Sequence, residues 1–152
     1  MDTIELKQKK GLQFESYIMD WFSDNKKINL SHYTTYDEQI HKGENRQGIE
    51  IKNDQMFKRT GNLFISVSRD YGYVEYDSGI CKGQSWLYVI GCNEEFYIFS
   101  TKQLIQFYKE QSPRLFNGFT SPKNGTEKGF LLSKKQAEYL CVEKITKQKT
   151  LF

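Results

Sequence analysis

The chain has 152 residues, of which 38% are hydrophobic and 27% charged, so it is long enough to bury a core and unlike an intrinsically disordered chain. Its net charge of +3 permits a polyanionic partner without requiring one. No apolar run approaches the roughly 18 residues of a membrane span, and the charged N-terminus lacks a signal-peptide core. The three cysteines lack metal-binding spacing and fit reduced thiols. We therefore expect one cytoplasmic domain over residues 1–152.

The first half of the chain predicts one helix followed by strands. The apolar stripe of Phe14, Ile18 and Phe22 predicts a helix over residues 6–23. Three strand-like segments follow, at His32–Ile40, Gly48–Asn53 and Leu63–Ser68. A turn is predicted at Thr60-Gly61-Asn62, and residues 69–84, which are rich in tyrosine and glycine, predict a loop or an irregular hairpin.

The second half predicts two strands and two capped helices. Trp86–Ile90 is an apolar run typical of a strand buried on both faces, and Phe96–Phe99 is a second short strand. Capping-box pairs predict the two helices, Ser100 with Gln103 and Ser133 with Gln136. Residues 112–129 contain both prolines and predict a loop. The order of elements predicts an α/β or α+β domain with helices flanking a mixed central sheet.

The strand at 48–53 carries the residues with the clearest chemistry. Side chains alternate across a strand, so Glu50 and Lys52 share one face while Ile49 and Ile51 share the other. Any half-buried strand has this pattern, so on its own it favours a solvated strand face over a catalytic one. If the strand at 32–40 forms a hairpin with it, Asp37 comes level with Glu50. Two carboxylates suit Mg²⁺ or Mn²⁺, and Lys52 would orient or deprotonate a water or stabilise charge on a phosphate.

Two other residues are alternatives to Asp37 as the carboxylate that joins Glu50 and Lys52. Glu38 and Glu44 are near it in the chain, and a slip of one residue changes which side chain faces the site. We expect Asp37 to be this carboxylate, with Glu38 and Glu44 as the alternatives.

The string from Asp37 to Glu50-Ile51-Lys52 resembles the D-(x)n-E-x-K signature of the PD-(D/E)XK nuclease superfamily. The acid-to-acid spacing is similar to that of Holliday-junction resolvases, and the Thr60-Gly61-Asn62 turn resembles that of small phage-borne members. The resemblance implies a restriction-endonuclease-like core of a helix, three antiparallel strands, a helix and a strand. It implies a metal held by Asp37, Glu50 and Ile51, and a helix-borne Glu15 near it. Where small members place a glutamate in the third strand, this chain has Ser66.

Positive charge around the site would bind the phosphates of a nucleic acid. The basic candidates are Lys58, Arg59 and Arg114. The uncharged candidates are Thr60 and Asn62 of the predicted turn. No base-reading module is present, and the glycines lack the spacing of a nucleotide-binding motif. We therefore expect DNA as the partner, with RNA left open, no membrane and no nucleotide cofactor. A homodimer is compatible with this view.

The resulting hypothesis is that the protein is a hydrolase, an Mg²⁺- or Mn²⁺-dependent endonuclease of DNA. It would recognise the structure of its DNA substrate rather than a base sequence. The alternative is a catalytically silent protein of the same fold that binds nucleic acid or a protein partner. A third interpretation is an α+β interaction domain in which Glu50 and Lys52 are only an exposed strand face.

Overall fold

The structure is a computed structural model that describes residues 3–147. The helices are α1 (Thr3–Lys26), α2 (Tyr36–Lys42), α3 (Phe57–Thr60), α4 (Thr101–Gln111) and α5 (Lys134–Leu140), and a 3-10 helix covers Gly79–Lys82. The strands are β1 (Ile49–Asn53), β2 (Asn62–Asp70), β3 (Glu75–Asp77), β4 (Leu87–Gly91), β5 (Glu95–Ser100), β6 (Phe116–Ser121), β7 (Gly125–Ser133) and β8 (Glu143–Thr146). None of the helices in this part of the chain is long and apolar enough to cross a membrane.

The strands form two sheets of four. The first has the order β1-β4-β5-β8, with β1 parallel to β4 and the other pairs antiparallel. The second has the order β3-β2-β7-β6 and is antiparallel throughout. The expected class, a mixed α+β fold, is confirmed, but the strands form two sheets rather than the single central sheet that was expected.

The strand order differs from the three successive antiparallel strands that the resemblance implies. β1 and β2 follow one another in the chain but lie in different sheets. The helix α3 separates them, and β1 pairs instead with β4, which is more distant in sequence. Among the described residues, strand β1 is therefore an edge strand of the first sheet, with a neighbouring strand on one side only.

The first sheet separates two hydrophobic clusters. On one face the apolar stripe of α1 packs against Ile49 and Ile51 of β1 and against neighbouring strands. On the other face Tyr88 and Ile90 of β4 pack against the second sheet and α4. Burial on both faces explains why β4 is almost entirely apolar. Because Glu50 and Lys52 alternate with the isoleucines, they lie on the face turned towards the second sheet.

Two secondary-structure predictions are wrong. Residues 36–42 are helical rather than extended, because Thr35 caps the helix: its hydroxyl accepts a hydrogen bond from the Glu38 N–H at 3.1 Å. Residues 112–129 contain strand β6 and part of β7 rather than a loop. A Cβ at Gly129 would collide with the carbonyl oxygen of Ile65, so this glycine permits close strand pairing.

The helix caps and the tight turn are confirmed. The hydroxyl of Ser133 accepts from the N–H of Gln136, and the Gln136 side chain accepts from the N–H of Ser133, which completes a capping box at the start of α5. At the start of α4 the hydroxyl of Ser100 accepts a hydrogen bond from the N–H of Gln103. Gly61 has a φ of 72°, the left-handed conformation expected for the predicted turn.

Candidate functional site

Glu50 and Lys52 lie next to one another at the edge of the first sheet. The Lys52 Nζ is 3.2 Å from Glu50 Oε1, and the side chains are 43% and 17% exposed, respectively. The prediction that β1 presents a carboxylate and an ammonium group on one face is therefore confirmed. Both side chains belong to a cleft of about 130 Å³ whose lining also includes Gly43, Glu44 and Lys82.

The second carboxylate beside Lys52 belongs to Glu44. Its Oε1 is 3.7 Å from Lys52 Nζ, and its Oε2 accepts a hydrogen bond of 3.2 Å from the N–H of Ile51. The loop that carries Glu44 is held by buried Asn45, whose side chain accepts from the Ile49 N–H at 3.0 Å and donates to the Ile49 carbonyl at 2.6 Å. Glu44 therefore reaches the free edge of β1 from a well-anchored loop.

Asp37 lies elsewhere. It is in the first turn of α2, its side chain is 87% exposed, and its Oδ1 is 3.4 Å from His41 Nε2 within the same helix. The hairpin that was expected to bring it level with Glu50 does not form, because residues 36–42 are helical. Glu38 also stays within its own turn, where it contacts Thr35. Of the three competing acids, the structure brings Glu44 to Glu50 and Lys52.

The ionisable groups of this cleft shift one another's pKa values. Burial raises the pKa of Glu50, the attraction of Lys52 lowers it in part, and repulsion from Glu44 raises it again. Burial likewise raises the pKa of Glu44, with Lys52 acting in the opposite direction. Burial disfavours the charged form of Lys52, but the carboxylates of Glu50 and Glu44 outweigh this and raise its pKa above the ordinary value. Lys52 is therefore a cation at neutral pH.

Further polar groups surround this cluster. Tyr88 lies opposite Glu50 in the parallel register of β1 and β4 and is 1% exposed. Burial raises its pKa well above the ordinary value, and the charges of Glu50 and Glu127 act in the same direction. The charge of Glu127, from β7, also raises the pKa of Lys52, but the carboxylate itself pairs with Arg69 at 3.5 Å. Ser66 of β2, the position noted in the sequence, is buried and its Oγ is 3.1 Å from Ser78 Oγ.

Glu15 is near the cleft but belongs to a different contact. Its Oε1 is 3.1 Å from His32 Nε2, and its charge is among those that raise the pKa of Glu44, after the burial of Glu44 and the opposing charge of Lys52. His32 Nδ1 lies 3.0 Å from the backbone carbonyl oxygen of Glu44. His32 thus connects α1 to the loop that carries Glu44, a link that the sequence analysis did not identify.

Asp54, directly after β1, has a structural role. Its Oδ2 accepts a hydrogen bond of 2.8 Å from the N–H of Phe64, and its Oδ1 accepts from the N–H groups of Met56 and Phe57, both at 3.1 Å. Three backbone donors therefore hold this carboxylate between β1, α3 and β2. Although burial raises its pKa, these bonds act in the opposite direction.

The predicted nucleic-acid contacts do not line the cleft. Lys58 Nζ is 3.3 Å from Glu94, and Arg59 Nη2 is 3.7 Å from the Met56 sulfur. The Thr60 hydroxyl and the Asn62 N–H bond to one another within the turn at 3.1 Å. Arg114 lies over the Phe116 ring, with 5.0 Å from its Cζ to the ring centroid. These five residues have local partners, and their role as DNA contacts stays a prediction.

The donor set near Lys52 fits Mg²⁺ in part. Within residues 3–147, no group of three or more His, Cys, Asp or Glu side chains is arranged as a metal site. Glu44 and Glu50 are nevertheless two partly buried carboxylates that both contact the Lys52 ammonium group. The N–H and the carbonyl of one strand residue point to the same side of the strand. Because the Ile51 N–H points to Glu44, the Ile51 carbonyl also points to this edge of β1. Mg²⁺ is commonly held by one or two carboxylates with water and substrate phosphate completing the shell.

Comparison with known proteins does not assign a family. No protein-family model, no curated protein and no solved structure matches this chain. The geometry of the cleft is therefore the basis for assigning a function.

Proposed function

We propose that this protein is an Mg²⁺- or Mn²⁺-dependent nuclease that hydrolyses phosphodiester bonds in DNA, with Glu44, Glu50 and Lys52 as its catalytic residues. One observation carries the proposal: a lysine ammonium and two partly buried carboxylates meet in one cleft at the edge of a strand. The proposal keeps the Glu-Ile-Lys motif of the sequence and replaces Asp37 by Glu44 as the first acid.

Lys52 acts as a cation in this mechanism. Because its pKa is raised by Glu50 and Glu44 despite its burial, it does not serve as a general base at neutral pH. It would instead donate hydrogen bonds to a phosphate oxygen and stabilise the negative charge that develops during cleavage. The contact with Glu50 keeps the ammonium group directed into the cleft.

The two carboxylates would bind the divalent cation. Glu44 and Glu50 would hold the metal together with the Ile51 carbonyl, and a bound divalent cation supplies a water of lowered pKa and neutralises phosphate charge. Because burial raises the pKa of both carboxyl groups in the metal-free protein, protonation would compete with the metal as the pH falls. Tyr88, whose pKa is also raised, stays neutral beside them.

Cleavage of labelled DNA tests the proposal. Single-stranded, duplex and four-way-junction DNA are incubated with the protein, with and without Mn²⁺. We expect metal-dependent cleavage that falls by at least about 100-fold in Glu50→Gln, Lys52→Met and Glu44→Gln, since each removes a group that acts in the transition state.

Asp37→Asn is the matched control, because it also neutralises one acid near the motif but lies on exposed α2. Activity within about twofold of the unmodified protein is expected for it, as for most surface substitutions. Loss of cleavage in Asp37→Asn with full activity in Glu44→Gln would overturn the assignment of the first acid. Full activity in Lys52→Met would overturn the proposed function.

A catalytically silent protein of the same shape is the second candidate. Lys52 contacts both carboxylates and so neutralises part of the charge that a metal would need. Mn²⁺ titration by calorimetry separates the two candidates. Binding that disappears in Glu50→Gln supports the nuclease, whereas equally weak heat signals from both proteins support the silent one.

A further inference from the structure

A ring with two cations lies on the segment that carries Glu44. The Lys42 Nζ is 5.7 Å from the centroid of the Tyr33 ring, and the Arg46 Cζ is 5.1 Å from the same centroid. Both distances are within the range of a cation–π interaction. We call Tyr33, Lys42 and Arg46 the Tyr33 platform.

The backbone holds the platform together. The Arg46 N–H donates to the Ser31 carbonyl at 2.9 Å, and the Ser31 N–H donates to the Gln47 side chain at 2.8 Å. His32 and Asn45 form an isolated antiparallel bridge next to these two contacts. Arg46 is therefore fixed opposite the Tyr33 segment, and Lys42 reaches the ring from the end of α2.

Two members of the platform flank Glu44 in the chain. Lys42 and Arg46 are each two residues from Glu44, and Gly43 and Glu44 line the cleft itself. Within the described part of the chain neither cation forms an ion pair with a carboxylate, whereas Lys58, Lys128 and Lys134 all do. The nearby acids Asp37 and Glu38 have contacts of their own, with His41 and Thr35.

We propose that the Tyr33 platform binds the phosphodiester backbone of a DNA strand and guides it to Glu44, Glu50 and Lys52. Two cations without carboxylate partners are available to neutralise phosphates, which is the main source of affinity for DNA. The ring limits the motion of both long side chains and so reduces the entropy lost on binding. This inference rests on the proposed nuclease function, and it moves the substrate contacts from Lys58 and Arg59 to Lys42 and Arg46.

Fluorescence anisotropy with labelled single-stranded DNA in EDTA tests the inference without any need for cleavage. The double variant Lys42→Gln/Arg46→Gln is compared with the matched double variant Lys58→Gln/Arg59→Gln, which removes the same charge. We expect Kd to rise at least about tenfold in the first variant and less than about twofold in the second. The slope of log K against log salt should fall by about 1.4 in the first, because each phosphate contact on a single strand contributes about 0.7.

The outcomes separate this inference from the proposed function. Metal-dependent cleavage with an unchanged KM and Kd in Lys42→Gln/Arg46→Gln would overturn the platform and leave the nuclease intact. DNA binding that depends on these two residues, with no cleavage under any metal, would support the platform and overturn the nuclease. A greater loss in Lys58→Gln/Arg59→Gln, or equal competition by polyglutamate of the same charge, would overturn the assignment to the DNA backbone.

Discussion

Replacing Lys52 with Met leaves the carboxylates of Glu44 and Glu50 without the ammonium group that contacts both. The Nζ lies 3.2 Å from Glu50 and 3.7 Å from Glu44, and each such pair contributes about 1 kcal/mol at the dielectric constant of water. Because Lys52 is 43% exposed, solvent screens the pair and larger interior values do not apply. We expect the free energy of unfolding at pH 8 to fall by about 2 kcal/mol, or about 4–8 °C in Tm.

This loss should depend on pH. The pKa values of Glu44 and Glu50 are already raised above 4.5 by burial, and removal of Lys52 raises them further. A carboxyl group whose pKa is higher in the folded protein binds a proton on folding, so the stability of the variant decreases as the pH rises above about 4.5. Near pH 4 both groups are protonated and the destabilisation relative to the unmodified protein disappears.

Urea unfolding, followed by tryptophan fluorescence at pH 8 and pH 4, measures both effects. Lys58→Met is the control, because Lys58 forms a pair of similar length, 3.3 Å, with Glu94 at an exposed site. It should cost less than about 0.5 kcal/mol at either pH. Equal losses in the two variants, or a loss in Lys52→Met that is the same at both pH values, would refute the reasoning.

Four further predictions follow from single residues. Calorimetry should show Mn²⁺ affinity at least about tenfold weaker in Glu44→Gln but unchanged in Asp37→Asn, since only Glu44 lies beside Glu50. Phe130→Ala should lower the free energy of unfolding by about 3–5 kcal/mol, measured in urea, because the ring is fully buried and stacks on Tyr108. Ser133→Ala should lower it by about 1 kcal/mol by removing the cap of α5. Tyr97→Phe should leave the Tm unchanged or raise it, because the buried Tyr97 hydroxyl has no hydrogen-bond partner among the described residues.

Several features were predictable because they depend on neighbours in the chain. The alternation of Ile49, Glu50, Ile51 and Lys52 is a property of any extended strand, so the shared face of Glu50 and Lys52 followed from the sequence. The capping box at Ser133 involves residues three positions apart, and it too was predicted correctly.

The identity of the second carboxylate beside Lys52 and the order of the strands depend on distant residues, so they were not predictable in the same way. Asp37 was favoured for its spacing, but the cap at Thr35 makes its segment helical and leaves it exposed. Glu44 had been only one of two rivals to Asp37, and no local pattern shows that its carboxylate meets the Ile51 N–H.

Sequence alone determined that the side chains of Glu50 and Lys52 share one strand face, because the alternation of side chains along a strand is set by backbone geometry. Tertiary structure decided which acid joins them. The pairing of β1 with β4, 38 positions apart in register (Glu50 with Tyr88), leaves one edge of β1 free for the Glu44 loop. Such a pairing is selected by burial of both faces of β4 in the assembled core, a free energy that no short stretch of the chain contains.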